Sequence, residues 1–361
     1  MRSAARPLIA PTAHPQLEEA LRFKLDRRVA AAGSLGELVP LALRLGLIQG
    51  TLRPRLRQPQ LLLFAGDHGL AVDLNPPQHH STAAQVADLL GCRVPLPVFA
   101  HHQGMSMDIV DCGLASALAP RPGVLARKIA HGTRNCRVTA AMTIDQVNAA
   151  IRAGMEIAES LSGNVLGCAG LGVGSPASAA LVISRVTGLA LRDLVHAGPR
   201  MSEEDFVHAM AVLQSAHNRH PASEDPVHAL ATFGGFEMAM MVGAMLTAAE
   251  RRHLILVDGM GACAALLVAS HIAPTVVDYA LFCRSSEHRG LDFVLAGFES
   301  AALLALGLES IDGTGTALSW PLVRAACALL TEVEDTVEPM PPPAEPQETT
   351  PSDFDPLPVR G

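Results

Sequence analysis

Several short stretches of this chain carry residues of the kind that chemistry needs. In Ser310–Ser319, SIDGTGTALS, Asp312 is followed by Gly313, Thr314 and Gly315. A carboxylate there can exchange a proton with a reacting group, or it can cap the helix that the next apolar run announces. In Gly170–Ser175, GLGVGS, glycines join an apolar run to a helical pattern. Backbone N–H groups at such a helix start, around Gly172, Gly174 and Ser175, suit a phosphate. The alternative is a tight turn that uses glycine only for packing. The string lacks the third glycine of GxGxxG and the lysine of a P-loop. Ser175 is placed to cap a helix whose first residue is Pro176. In AGDHG (65–69), Asp67 and His68 are strand neighbours that point to opposite faces, which makes them poor joint ligands for a metal. Asp67 there, and Asp258 in VDGMG (257–261), fit loop-organising hydrogen bonds. Glu237, in FGGFE (233–237), sits at a helix start, where the dipole favours a carboxylate. The Met-rich helix that follows reads as core.

The elements that must position these residues can be read from the alternation of patterns. Up to about Gly50 the chain is helical in period, with Ser34 and Glu37 spaced as a capping box. From Gln60 onward, short apolar runs end in Gly or Asp and alternate with longer helical patterns. Strands are expected at 60–69, 107–113, 164–175, 253–261 and 276–282. A second capping box, Thr143 with Gln146, marks the helix before the third strand. Such alternation predicts an α/β fold, a Rossmann-like parallel sheet flanked by helices, with ligands outside the carboxyl ends of the strands. The expected divisions are residues 1–55 (the N-terminal helical part of a small domain), 56–315 (the Rossmann-like catalytic domain), 316–333 (the C-terminal helix of the small domain) and 334–361. The last is rich in Pro and acids and is expected to be disordered.

Composition narrows the partners. The 361 residues carry a net charge of −8, with no long basic run, which argues against nucleic acid as the main partner. Aromatic residues make up 3% of the chain, so the core must be aliphatic. The long uncharged run Ser160–Ser184 is interrupted by Gly, Asn, Ser and Pro176, and reads as strand, loop and helix rather than a membrane span. The first residues lack the apolar stretch of a secretory signal. Seven scattered cysteines without CxxC spacing read as small core residues of a reducing compartment, hence a cytoplasmic protein. His79, His80, His101 and His102 come as adjacent pairs that diverge in direction, and no Cys or carboxylate completes a ligand set, so no metal is expected.

Taken in order, the strings resemble the nicotinate-nucleotide:dimethylbenzimidazole phosphoribosyltransferase family. GSLGELVPLALRLGLIQGT, LLLFAGDHGLA, HGTRN, AMT, GLGVGS, GGFEMAMMVGAML, LVDGMGACAALLVA, RSSEHRG and DGTGTALSWPLVRAA carry the likeness, collinearly, over about residues 30–330. The resemblance implies a Rossmann-like domain, a small helical domain, a homodimer and no cofactor. It implies transfer of the phosphoribosyl group of nicotinate mononucleotide to 5,6-dimethylbenzimidazole or a related base, with inversion, giving α-ribazole phosphate and nicotinate. A paralogue using another base or donor, or a weakly catalytic binding or regulatory homologue, is the alternative. Asp312 falls where the family's general-base glutamate stands, and Ile311 replaces the glycine before it. Gly172, Gly174, Ser175, Gly313, Thr314, Gly315, Asp258 and Asp67 are the expected substrate- and phosphate-binding positions. The chain departs from the family elsewhere. The family's Glu-Met-Gly-Ile-Gly-Asn-Thr-Thr is here Gly170–Ala177, and its Gly-Arg-Gly-Thr-Gly stretch has become HAGPRMSEED. The Gly-Val-Ser run around the base pocket reads DLNPPQHHST.

Overall fold

The structure, a computed structural model, describes residues 8–30, 32–74, 81–195, 202–223, 225–284 and 289–335. His79 and His80, most of DLNPPQHHST, most of HAGPRMSEED, part of RSSEHRG and the tail from residue 336 lie outside them.

Two helices, α1 (Pro15–Val29) and α2 (Leu38–Gln49), precede the first strand, β1 (Gln60–Gly66). Then come α3 (Ala71–Leu74), α4 (Thr82–Leu90), α5 (Pro95–His102), β2 (Ser106–Gly113) and β3 (Val124–Ala126). The second half runs α6 (Ile144–Glu159), β4 (Val165–Leu171), α7 (Ser175–Thr187), α8 (Leu191–Leu194), α9 (Glu203–Arg219), α10 (Pro226–Phe233) and α11 (Phe236–Glu250). It closes with β5 (Leu254–Asp258), α12 (Met260–Ile272), a 3₁₀ turn (Pro274–Tyr279), β6 (Ala280–Phe282), α13 (Arg289–Gly297) and α14 (Thr314–Thr331).

The strands form one wholly parallel sheet in the order β3-β2-β1-β4-β5-β6. Strand order reverses between β1 and β4, where Phe64 pairs with Val110 on one side and Gly170 on the other. The crevice outside the carboxyl ends of β1 and β4 is therefore the switch point of a doubly wound sheet. The interior strands are apolar on both faces, as a sheet covered by helices on both sides requires.

One face is covered by α11 and α12, the other by α5 and α14. Every residue of α11 from Phe236 to Ala249 is buried, so this helix runs through the core. Behind it lies α6, at glycine-mediated range. A Cβ on Gly154 would stand 1.9 Å from the Met240 carbonyl, and one on Gly243 equally close to that of Ile151. Helices α1 and α2 pack on α14, and the Arg252 guanidinium donates to the Leu47 and Ile48 carbonyls at the end of α2.

Several local expectations change. Thr143 and Gln146 do form the capping box of α6. Ser34 and Glu37 do not: Ser34 Oγ accepts from the Gly36 N–H inside a turn, and α2 begins one residue after Glu37 without a side-chain cap. The run 276–282 is strand only over Ala280–Phe282, because Pro274 starts a 3₁₀ turn that holds Val276. Strand β3, three residues long, carried no periodic signal. Of the cysteines, Cys92 is exposed in a left-handed turn and the other six are buried, all as free thiols. Among the described residues, no helix is long and apolar enough to cross a membrane, and no His/Cys/Asp/Glu group could hold a metal ion.

Candidate active site

Two clusters sit at the carboxyl ends of the strands. The first is built on Asp258, the last residue of β5, which has no exposed surface. Its Oδ2 accepts from the Gly313 N–H at 2.7 Å and from the Thr316 N–H at 3.1 Å. Asp258 thus caps α14 from across the fold. Asp312 is not the cap: the N-cap residue is Gly313, at φ 98°, and the Thr314 hydroxyl turns back to the Ile311 carbonyl. Gly315 lies close over the same carboxylate, since a Cβ there would approach both Asp258 oxygens to 3.0 Å. The amino end of α14 is thereby filled by an internal anion.

Arg284, just after β6 and buried, joins the two acids. Its Nε meets Asp258 Oδ1 at 2.7 Å, and its Nη2 donates to Asp312 Oδ1. Its Nη1 donates to the carbonyls of Leu308 (3.1 Å) and Ser310 (3.0 Å), which fixes the loop that delivers Asp312. The Asp312 side chain keeps 24% of its surface exposed. Burial nevertheless pushes its carboxyl up to about 7, against the pull of Arg284, with the charge of Asp258 adding to the rise. Gly259 explains how it fits: a Cβ there would stand 2.0 Å from Asp312 Oδ2. A carboxyl titrating near neutrality with part of its surface exposed is suited to proton transfer. The thiols of Cys112, Cys168, Cys263 and Cys283 are pushed up by burial, which leaves no ready thiolate among them.

The second cluster surrounds the glycine turn after β4. Gly172 is pressed against β1 so closely that a Cβ would lie 2.1 Å from the Gly66 carbonyl. Gly174, at φ 85°, is the N-cap of α7, and Ser175 is the first helical residue rather than the cap. The Ser175 hydroxyl is engaged elsewhere, donating to Glu237 Oε1 at 3.0 Å. The Val173 N–H donates to the Thr82 hydroxyl and the Ser175 N–H to the Gly172 carbonyl. Pro176 has no N–H. Among the described residues this leaves the Gly174 and Ala177 N–H groups for an anion. Asp67 organises the surrounding loops: Oδ1 accepts from Thr82 Oγ1 (2.5 Å) and Oδ2 from the Ala115 N–H (2.7 Å).

Strand β1 stops at Gly66, so Asp67 and His68 are not strand neighbours as expected; they still take different partners, and His68 Nε2 lies 2.8 Å from Glu237 Oε1. Both side chains are 1% exposed. The clusters meet at the first turn of α12, where Gly259 abuts Asp312 and Gly261 faces Ser175 Oγ at Cβ-contact range, 3.4 Å. The structure thus groups Asp258, Asp312, Gly313, Thr314 and Gly315 at β5, and Gly172, Gly174, Ser175 and Asp67 at the switch point. Arg284, Glu237, His68 and Thr82 join them without having been chosen as site residues. Glu237 did leave a signal, a lone acid ahead of a Met-rich apolar helix.

A family model described as phosphoribosyltransferase matches residues 10–338. The nicotinate-nucleotide–dimethylbenzimidazole phosphoribosyltransferase of Cupriavidus taiwanensis is 42% identical over 88% of this chain and 94% of its own length. The protein of the same name from a Janthinobacterium species is 36% identical over 90% and 95%. The crystal structure of CobT from Thermus thermophilus superposes with a TM-score of 0.82 at 28% identity, covering 88% of this chain and 96% of that one. With its sheet order, its glycine turn at the switch point and its acid at the edge of β5, the chain belongs to the nicotinate-nucleotide–dimethylbenzimidazole phosphoribosyltransferase family.

Proposed function

We propose that this protein transfers the phosphoribosyl group of nicotinate mononucleotide to 5,6-dimethylbenzimidazole or a related base, releasing nicotinate and α-ribazole phosphate, with Asp312 as general base. The observation that carries the reading is the seat of Asp312, whose carboxyl is held by the buried Arg284 and lies against Gly259 at the carboxyl end of β5. Relatives that match nearly the whole chain bear the name of this reaction.

The proton balance requires such a group. One ring nitrogen of the base attacks the anomeric carbon as the bond to the nicotinate nitrogen breaks, and positive charge passes from the pyridinium to the attacking ring. The other ring nitrogen then gives up its proton. Among the described residues the donor to Asp312 is Arg284, on Oδ1, so Oδ2 is the oxygen placed to take that proton. The donor's phosphate belongs at the amino end of α7, where Gly174 and Ala177 offer N–H groups. The amino end of α14 already holds Asp258.

In the same reading, residues 56–315 form the catalytic domain and 1–55 with 316–333 the small one, in accord with the packing of α1 and α2 on α14. The scattered cysteines support a cytoplasmic protein, and the family resemblance supports a homodimer. Aspartate has a shorter arm than the family's glutamate, so the acceptor is best sought in a panel of benzimidazoles, purines and phenols. Nicotinate release from nicotinate mononucleotide by wild-type protein, strongly suppressed in Asp312→Ala, is the expected result. No release with any acceptor of the panel would refute the proposal.

A further inference from the structure

We infer that Glu237 is a positioning residue for the donor, acting through Ser175 on the glycine turn that receives the phosphate. This rests on the donor site proposed above and deepens it.

A carboxylate in the first turn of α11 gains from the helix dipole. That gain does not require complete burial, nor partners drawn from other elements. Here Oε1 lies within hydrogen-bond distance of His68 Nε2, just past β1, and accepts from Ser175 Oγ, at the start of α7 after β4. One carboxylate oxygen therefore ties together the two strand ends that flank the switch point. Oε2, also buried, has no partner among the described residues.

The space for this carboxylate is cut from the backbone. A Cβ on Gly235 would stand 2.2 Å from Oε2 and 2.5 Å from His68 Cε1, and one on Gly66 would be 2.8 Å from Oε2. The turn rests on the same residues. A Cβ on Gly174 would meet His68 Cβ at 3.4 Å, and Gly172 lies against the Gly66 carbonyl. Because the Ser175 hydroxyl is spent on Glu237, Ser175 does not itself present that hydroxyl to the phosphate. It holds the helix start so that the Gly174 and Ala177 N–H groups converge. Burying a carboxylate costs several kcal/mol unless it is well partnered, and an apolar residue would fill a purely structural position more cheaply.

The test is steady-state kinetics with nicotinate mononucleotide and dimethylbenzimidazole, using Ser175→Ala, Glu237→Gln and the double variant, with thermal unfolding in parallel. Ser175→Ala removes one hydroxyl and is expected to fold. It should raise the donor KM roughly tenfold, the worth of one hydrogen bond to a charged group, while kcat and the acceptor KM stay near wild-type values. Glu237→Gln should act on the same parameter, and the double variant should be no worse than the more impaired single one, because both cut one connection. An unchanged donor KM in Ser175→Ala, or additive losses in the double variant, would overturn the inference and leave the proposed reaction standing. A wild-type protein that neither binds donor by calorimetry nor turns it over would remove both.

Discussion

Gly259→Ala offers a direct probe of how Asp312 is seated. The new methyl would stand 2.0 Å from Oδ2 and 2.2 Å from Cγ of Asp312, with Gly259 at φ 92°. An ordinary contact begins near 3.4 Å, so the carboxylate must retreat by about 1.4 Å, or β5 must shift under it. A displacement of about 1 Å at a reacting group costs roughly 100-fold in rate, so kcat should fall by at least that order. The backbone at φ 92° and ψ 168°, open essentially to glycine alone, should separately cost about 1–3 kcal/mol of stability. Gly188→Ala separates the two effects. Gly188 has φ 76°, nothing within 4 Å of its Cβ position, and lies at the far end of α7. It should lose about 1 kcal/mol of stability, less than Gly259→Ala, and keep its kcat. The assay is nicotinate release at saturating substrates, with unfolding of both variants measured by calorimetry. If Gly259→Ala retains wild-type kcat while Gly188→Ala shows the expected stability loss, Asp312 is not the proton acceptor.

Three further outcomes follow from the same cluster. With the Asp312 carboxyl at about 7, kcat/KM should fall as pH drops through neutrality, since the protonated form cannot accept the base's proton. The stability sign is opposite: a carboxyl raised above its unfolded value of about 3.9 favours the folded state in acid and loses that contribution as pH climbs to about 7. Asp312→Asn should therefore compare more favourably with wild type in melting temperature at pH 8 than at pH 5, and a pH-independent difference would contradict this. Asp258→Asn should cost on the order of 3 kcal/mol in urea unfolding, because it leaves Arg284 undercompensated and weakens the cap on Gly313 and Thr316. A loss under about 1 kcal/mol would mean that the cap and ion pair are dispensable.

Much of the frame could be read from residue types alone. The runs expected as strands at 60–69, 107–113, 164–175 and 253–261 do hold strands, because parallel strands buried on both faces are continuously apolar. Three of them stop earlier, at Gly66, Leu171 and Asp258, where the chain turns into its loops. What escaped was whatever depends on distant partners. Asp312 and Ser175 both stood where local rules place a cap, yet Asp258 caps one helix and backbone glycine starts the other, since each side chain is claimed by a residue many positions away. Strand β3 is too short to show a period, and β6 is cut short by the turn at Pro274. Arg284 could be seen only as part of a family string. Its role appears once Asp258 and Asp312, 54 residues apart in sequence, are seen to share it.

The cap on α14 has a bearing on how the chain folds. A helix normally carries its own start signal and can begin to form alone. The amino turn of α14 instead waits for an acid 55 positions upstream, which stands in place only when β5 lies in the sheet. The start of α14 is therefore completed by long-range assembly, a slow, non-local step in chain closure. The proposed proton acceptor beside it takes its place with that closure: a partly assembled chain has Asp312 but neither the arginine clamp nor the close seat against Gly259.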